Sequence, residues 1–330
     1  MEVIQCRRNY KIDNIKAILI FLVVFGHLLE LFGGRYQPFL YLGIYSFHMP
    51  AFVYTTGYFA KQDPRNAFSR FLFPYVIYQT LYFVFQRFVL HQQILLQYTT
   101  PYWLMWYLLA CFSWQLLLPA FATVKEKNRL PVLGLVFLIA LLVGLDPTVG
   151  YPFSLSRSVV FFPFFLMGYY KIPERVSEKK GGMSAGMASC ALVLGGLFLL
   201  ARKTVLFNGG VFYQTASYYD QQAHFFLPNL LQRVFCLLMG IAWIFLLQNI
   251  VTAKKVPVLS RVGRYTMPVF LLHGFGILWL RAHNIFLWRE EVCILVAVVL
   301  AAAICLLLGN PVVYRALRFT FAFPKRNQNR

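Results

Sequence analysis

Ten stretches of largely apolar residues, each near the length that crosses a bilayer, run through this chain with short basic clusters between them. They cover 15–31, 39–59, 71–89, 102–124, 130–145, 159–170, 183–201, 227–250, 265–280 and 292–309. A helix rises about 1.5 Å per residue, so roughly 20 apolar residues span about 30 Å of hydrocarbon. Backbone N–H and C=O groups find no water there, so each stretch is expected to be helical. The fold class is therefore all-α and integral to the membrane, with about ten transmembrane helices. Composition agrees, since 59% of the residues are hydrophobic and 13% charged, against about 25% charged in a soluble domain. A water-soluble enzyme, a disordered chain and a coiled coil are all excluded.

Thirty-one Lys and Arg against eleven Asp and Glu leave a net charge of +20. On a soluble protein that excess would suggest nucleic acid. Here it lies between the apolar stretches, as in loops held against an anionic cytoplasmic leaflet, so the partner is the lipid bilayer and no nucleic acid is expected. With the N-terminus in the cytoplasm and one crossing per stretch, the inner side collects Arg7, Arg8, Lys11, Lys16, Lys61, Arg65, Arg70, Lys125, Lys127, Arg129, Lys171, Arg175, Lys179, Lys180, Lys254, Lys255, Arg261, Arg264 and the C-terminal basic residues. Arg35, Arg87, Arg157, Arg202, Lys203, Arg233, Arg281 and Arg289 fall on or near the outer side. A different number of crossings would scramble this asymmetry, so both termini are expected inside. Residues 1–310 read as one transmembrane domain and 311–330 as a basic cytoplasmic tail. The polar N-terminal segment lacks a small-residue cleavage site and reads as an uncleaved anchor. The six cysteines are scattered without a CxxC pair, which argues against a disulfide framework or a metal site.

Ionisable groups inside a span are costly and mark function by default. In the first stretch Lys16 and His27 are eleven residues apart, which is three turns plus roughly 20° at about 100° per residue. Asp13 and Glu30 fall within about 60° of the same face by that geometry. One stripe thus carries an acid and a cation near the inner edge, and an imidazole with a carboxylate further out. In the second stretch His48 precedes Pro50, which is expected to kink a single helix over 39–59 and so open backbone toward a cavity. Arg70 and Arg157 each stand ahead of an apolar run. The outer end of the fourth stretch offers Trp103, Trp106 and Tyr107. The outer connection 202–226, rich in Tyr and Phe and containing Asp220, either lies on the headgroups or forms part of a sugar-binding surface. His273 reads as a packing or pore-lining residue. Gly182-Met183-Ser184-Ala185-Gly186 matches G-x-S-x-G but has no strand before it, so it is not a nucleophile elbow.

These residues resemble the membrane acyltransferase-3 family, in its fucose 4-O-acetylase-like branch. The matching segments are DNIKAILIFLVVFGH (13–27), SFHMPAFVYTTGYF (46–59), RFLFPY (70–75), WLMWYLLA (103–110), RSVVFFPFFLMGYY (157–170) and RYTMPVFLLHG (264–274). The resemblance covers nearly the whole chain. It implies ten core helices and transfer of an acyl group, usually acetyl from cytoplasmic acetyl-CoA, to a glycan or glycolipid outside a bacterial inner membrane. No cofactor beyond that donor substrate is implied. Many members have Arg and His in the first helix with ten residues between them; Lys16 stands at the Arg position in this chain and keeps the charge without the bidentate fork. Thr56-Gly57-Tyr58 replaces a Ser-Gly-aromatic signature. The resemblance implies His27 as catalytic, with Asp13, Lys16 and Arg70 on the donor side.

Elementary chemistry points the same way. Acyl transfer to a hydroxyl needs a base near neutral pH, and imidazole, with an unperturbed pKa of about 6.5, suits that task. A neighbouring carboxylate, Glu30 or another, can orient the His27 ring, and a buried cation or a helix dipole is needed for the tetrahedral oxyanion. Direct transfer with His27 as general base and relay through an acetyl-His27 both satisfy the residues. The rival from another class is a polysaccharide or lipid-linked sugar transporter that uses the same polar groups as a pathway. Clustering of those groups on the first two stretches, with no sign of symmetric halves, favours the enzyme.

Overall fold

The computed structural model describes residues 8–63, 66–150, 152–176, 182–203, 212–215, 217–219 and 226–321. All regular structure among the described residues is helical. The first stretch is α1 (Tyr10–Leu29), opened by Asn9, whose side chain accepts the Ile12 N–H at 3.3 Å. That bond satisfies one of the donors a helix start leaves unpaired.

The second stretch is two helices instead of one kinked span: α2 (Gln37–Tyr45) and α3 (His48–Tyr58). The chain breaks at Ser46 and Phe47, ahead of Pro50. Pro50 therefore occupies the first turn of α3, where its missing N–H costs nothing, and it interrupts no ladder.

The third stretch runs continuously from a π-helical turn (Phe68–Leu72) through α4 (Phe73–Val84) to a second π-turn (Phe85–Val89). Next come α5 (Trp106–Ala122), α6 (Arg129–Leu142), α7 (Leu155–Tyr169), the short α8 (Ile172–Val176) and α9 (Gly182–Lys203). The chain then forms α10 (Phe226–Ile250), α11 (Pro257–Arg264), α12 (Thr266–Ala282) and α13 (Glu290–Leu308). Within the segment read as a tail, α14 (Pro311–Phe321) is helical. The G-x-S-x-G match lies at the start of α9, a helix with no strand before it among the described residues.

Five helical segments among the described residues are long and apolar enough to cross a membrane: Tyr10–Leu29, Glu126–Leu145, Ser184–Arg202, Phe226–Ile250 and Glu290–Leu308. On several of these the outward face is bare Leu, Val and Phe, as at Leu135 and Leu138 of α6, Leu194 and Phe198 of α9, and Leu295 and Val299 of α13. A surface of that kind is stable against lipid and costly against water. The protein is a multi-pass membrane protein.

α1 is the axis of the bundle, packed by α2, α3, α11, α12 and α13. At its Tyr10 end, Lys11 Nζ donates to the Gln248 carbonyl at 2.7 Å and Asn14 binds the turn after α10. At its Leu29 end, the Glu290 carboxylate accepts the backbone N–H groups of Arg35, Tyr36 and Gln37, each at 2.7 Å, and so ties the α1–α2 turn to α13. α3 and α7 cross at van der Waals contact of their backbones. A Cβ at Gly57 would meet the Phe165 carbonyl group, and one at Gly168 would meet the Tyr54 carbonyl.

Candidate active site

The last turn of α1 carries His27, only 8% exposed, and Glu30 closes the helix. Glu30 Oε1 accepts the Tyr45 hydroxyl at 2.5 Å and lies 3.0 Å from His27 Nδ1, while Oε2 accepts Arg281 Nη2 at 2.9 Å. The Tyr45 oxygen is itself 2.9 Å from His27 Nδ1. An ionised carboxylate only accepts, and the one Tyr45 proton is spent on it, so Nδ1 must be the donor. The bonding pattern thus fixes the tautomer, with the lone pair of the neutral ring on Nε2. Gly26 leaves room for this ring, since a Cβ there would sit 3.1 Å from Tyr45 Cε2 and the ring would have to give by a few tenths of an ångström.

Aromatic rings enclose the imidazole. Trp103 lies 4.3 Å from it between ring centroids, and the Arg281 guanidinium covers the Trp103 ring at 5.3 Å. His273 stacks at 5.7 Å. Its Nδ1 donates to the Val269 carbonyl at 2.8 Å, and its Nε2 is buried without a hydrogen-bond partner among the described residues. Tyr45 stacks on Tyr41 at 4.1 Å and meets His48 edge-on at 4.7 Å; the Tyr41 and Tyr213 hydroxyls are bonded to each other. His48 Nδ1 donates to the Ile44 carbonyl at 2.8 Å.

Beside these rings opens a pocket with about 690 Å³ of empty space, continuous in part with the exterior. Its polar and aromatic wall holds His27, His48, Trp103, Trp106, Tyr107 and Arg157, all singled out in the sequence, together with Tyr45 and Tyr213. Arg157 is buried; its Nε donates to the Tyr213 carbonyl at 2.7 Å and its guanidinium lies 4.9 Å over Trp106. Thr56, of the Thr-Gly-Tyr signature, bonds the Tyr107 hydroxyl.

The three residues expected on the donor side do not form one cluster. Asp13 is buried and accepts Arg8 Nε at 2.6 Å, Lys16 Nζ lies 5.7 Å over the Phe59 ring, and Arg70 is exposed on the Phe68–Leu72 turn. No described contact joins Arg70 to the other two. Asp220 lies outside the described residues, as does most of the 202–226 connection. Sequence reasoning missed Tyr45, Tyr213 and Arg281. Arg281 carried a usable signal, because a buried Glu30 needs a cation and Arg281 closes a span on the same expected side.

A family profile described as an acyltransferase domain matches residues 9–308. The chain belongs to the acyltransferase-3 family. The match takes in every element that lines the pocket, from α1 to α12. Nodulation protein NolL of Sinorhizobium fredii is 28% identical to this acyltransferase-3 chain over 237 residues, 64% of the chain and 62% of NolL. The similarity therefore spans less than two thirds of that curated relative. No solved structure matches the chain.

Proposed function

We propose that this chain is a membrane O-acyltransferase of ten spans with both termini cytoplasmic. It moves an acetyl group from cytoplasmic acetyl-CoA to a hydroxyl of a glycan or glycolipid outside a bacterial cytoplasmic membrane. The observation that carries the reading is the His27–Glu30–Arg281 chain of contacts, braced by Tyr45 and set in the wall of an aromatic pocket. A carboxylate that holds Nδ1–H leaves Nε2 as a base with a fixed direction, the arrangement that hydroxyl activation requires.

In this reading His27 Nε2 takes the acceptor hydroxyl proton as the oxygen attacks the thioester carbonyl. The tetrahedral intermediate collapses with cleavage of the C–S bond, and the departing thiolate takes the proton back from the imidazolium. Arg157, a cation in the pocket wall, is assigned to the oxyanion. With Nδ1–H given to Ile44, His48 presents its Nε2 lone pair as an acceptor for a sugar hydroxyl. Trp103, Trp106 and Tyr107 supply flat apolar faces for a pyranose ring.

The orientation draws support from which charges meet. Arg8, Lys11, Lys254 and Lys255, all assigned to the inner side by charge asymmetry, gather at the Tyr10 end of α1. Glu30, Arg157 and Arg281 gather at the other end, where an extracytoplasmic acceptor would arrive.

The test is coenzyme A release by purified protein given acetyl-CoA and a pool of cell-envelope glycans. Release should depend on the glycans and fall by about 10²–10⁴ in His27→Ala. Glycan-dependent release that survives in His27→Ala removes His27 as the base. A wild-type protein that neither releases coenzyme A nor binds acetyl-CoA returns the transporter reading.

A further inference from the structure

At the end of α1 remote from His27, α11 and the turn ahead of it fold back against the first helix. Asn14, 0% exposed, holds them there. Its Nδ2 donates to the Thr252 and Lys254 carbonyls at 3.0 Å each, and its Oδ1 accepts Ser260 Oγ at 2.9 Å. Gly263 brings α11 onto the Asp13 carbonyl so closely that a Cβ would overlap it. The two walls are therefore one built unit.

Between them lies a second pocket with about 940 Å³ of empty space. It is lined by Arg8 from the segment before α1, Lys255 from the turn, and Arg261 and Arg264 from α11, with the rings of Tyr10 and Tyr265. Arg261 and Arg264 are one turn apart and share a helix face. The Arg264 guanidinium lies 5.3 Å over Tyr265. The Asp13 carboxylate is engaged by Arg8, and no carboxylate among the described residues lines the pocket.

With Arg8 paired to Asp13, Lys255, Arg261 and Arg264 remain as three like charges around one concavity, where they repel one another, whereas cations that merely face an anionic leaflet can spread over the surface. Two guanidiniums and an ammonium lining one volume match the oxygens of phosphate groups. We propose that this pocket is a phosphate-binding site, which takes phosphate groups from the nucleotide end of the acyl donor. The nucleotide as the source rests on the acetyl-CoA reading above; the phosphate site itself does not. The same chemistry is carried by a phospholipid headgroup, and the test separates the two.

The full-length protein in uncharged detergent is titrated with adenosine 3′,5′-bisphosphate, which carries no acyl group and requires no turnover. The wild type should bind it, more weakly as salt screens the charges. The double substitution Arg261→Gln, Arg264→Gln should weaken binding by at least about tenfold. Both side chains are exposed, so the melting temperature without ligand should stay within about 2 °C of wild type. The second arm measures retention of phosphatidylglycerol from mixed micelles. Loss of lipid retention without nucleotide binding assigns the pocket to headgroups and overturns the nucleotide source. If the double variant alters neither, the phosphate site is overturned. Nucleotide binding by a protein that never releases coenzyme A would keep the pocket while sinking the acyl-donor reading.

Discussion

The Glu30 carboxylate serves three partners at once: it accepts from Tyr45, faces His27 Nδ1 and neutralises Arg281. Removing its charge while keeping its shape should cost the imidazole both its tautomer and its partner. Glu30→Gln is expected to lower kcat by about 10²–10³ with a smaller effect on KM, because the lost interaction strengthens as His27 becomes positive. Tyr45→Phe removes one neutral hydrogen-bond donor and leaves the carboxylate, so a loss of only about tenfold is expected. Steady-state kinetics on the two variants checks the order; a Tyr45→Phe loss equal to that of Glu30→Gln would make the tyrosine a proton carrier instead of a brace. His27 and Glu30 were legible in the sequence because a charge inside an apolar helix stands out. Tyr45 was not, since one tyrosine among twenty announces nothing until its hydroxyl is seen against a carboxylate.

Between elements, α3 and α7 approach at backbone contact and bring His48 and Arg157 to the same pocket. Gly57 and Gly168 let the two backbones touch, and a methyl at either position would meet a carbonyl of the partner helix. Gly168→Ala is expected to destabilise by about 1–3 kcal/mol through forced separation. Thermal unfolding in detergent should show it as a loss of several degrees. An unchanged melting temperature would mean that the helices slide apart at no cost and that the crossing does not fix the pocket. The helices themselves could be read from apolar length, but the break ahead of His48 could not. Proline draws attention to itself in a sequence, and Pro50 was read as the kink. The break falls earlier, at Ser46 and Phe47, where a local hydrogen bond from Ser46 Oγ to the Gly43 carbonyl at 2.7 Å closes the turn.

At the level of the whole molecule, each of the ten apolar stretches contains a helix or a pair of them, yet only five helical segments among the described residues are long enough to cross alone. The shorter helices α2, α3, α5, α7 and α12 wall the pocket together with α1, and irregular backbone at that depth is tolerated because protein surrounds it. The ten-span topology is checked by reporter fusions. Alkaline phosphatase joined after Gln97 should be active, and joined after Lys254 inactive, with a fluorescent protein at the C-terminus bright. Activity after Lys254 would invert the molecule or change the number of crossings. The expected layout rests on charge asymmetry, which needs only the order of residues along the chain. The pairing of Arg281 with Glu30, 251 residues apart, needed the fold.

α1 runs unbroken from Tyr10, in the wall of the cationic pocket, to His27, in the wall of the aromatic one. Seventeen residues at about 1.5 Å each separate the two by roughly 25 Å. The helix then works as a measuring rod. On the proposed reading, a donor has to be long as well as activated, with its anionic head and its reactive end a fixed reach apart. Small activated acyl compounds such as acetyl phosphate could occupy one station but never both, so selection against them is built into the length of a single helix.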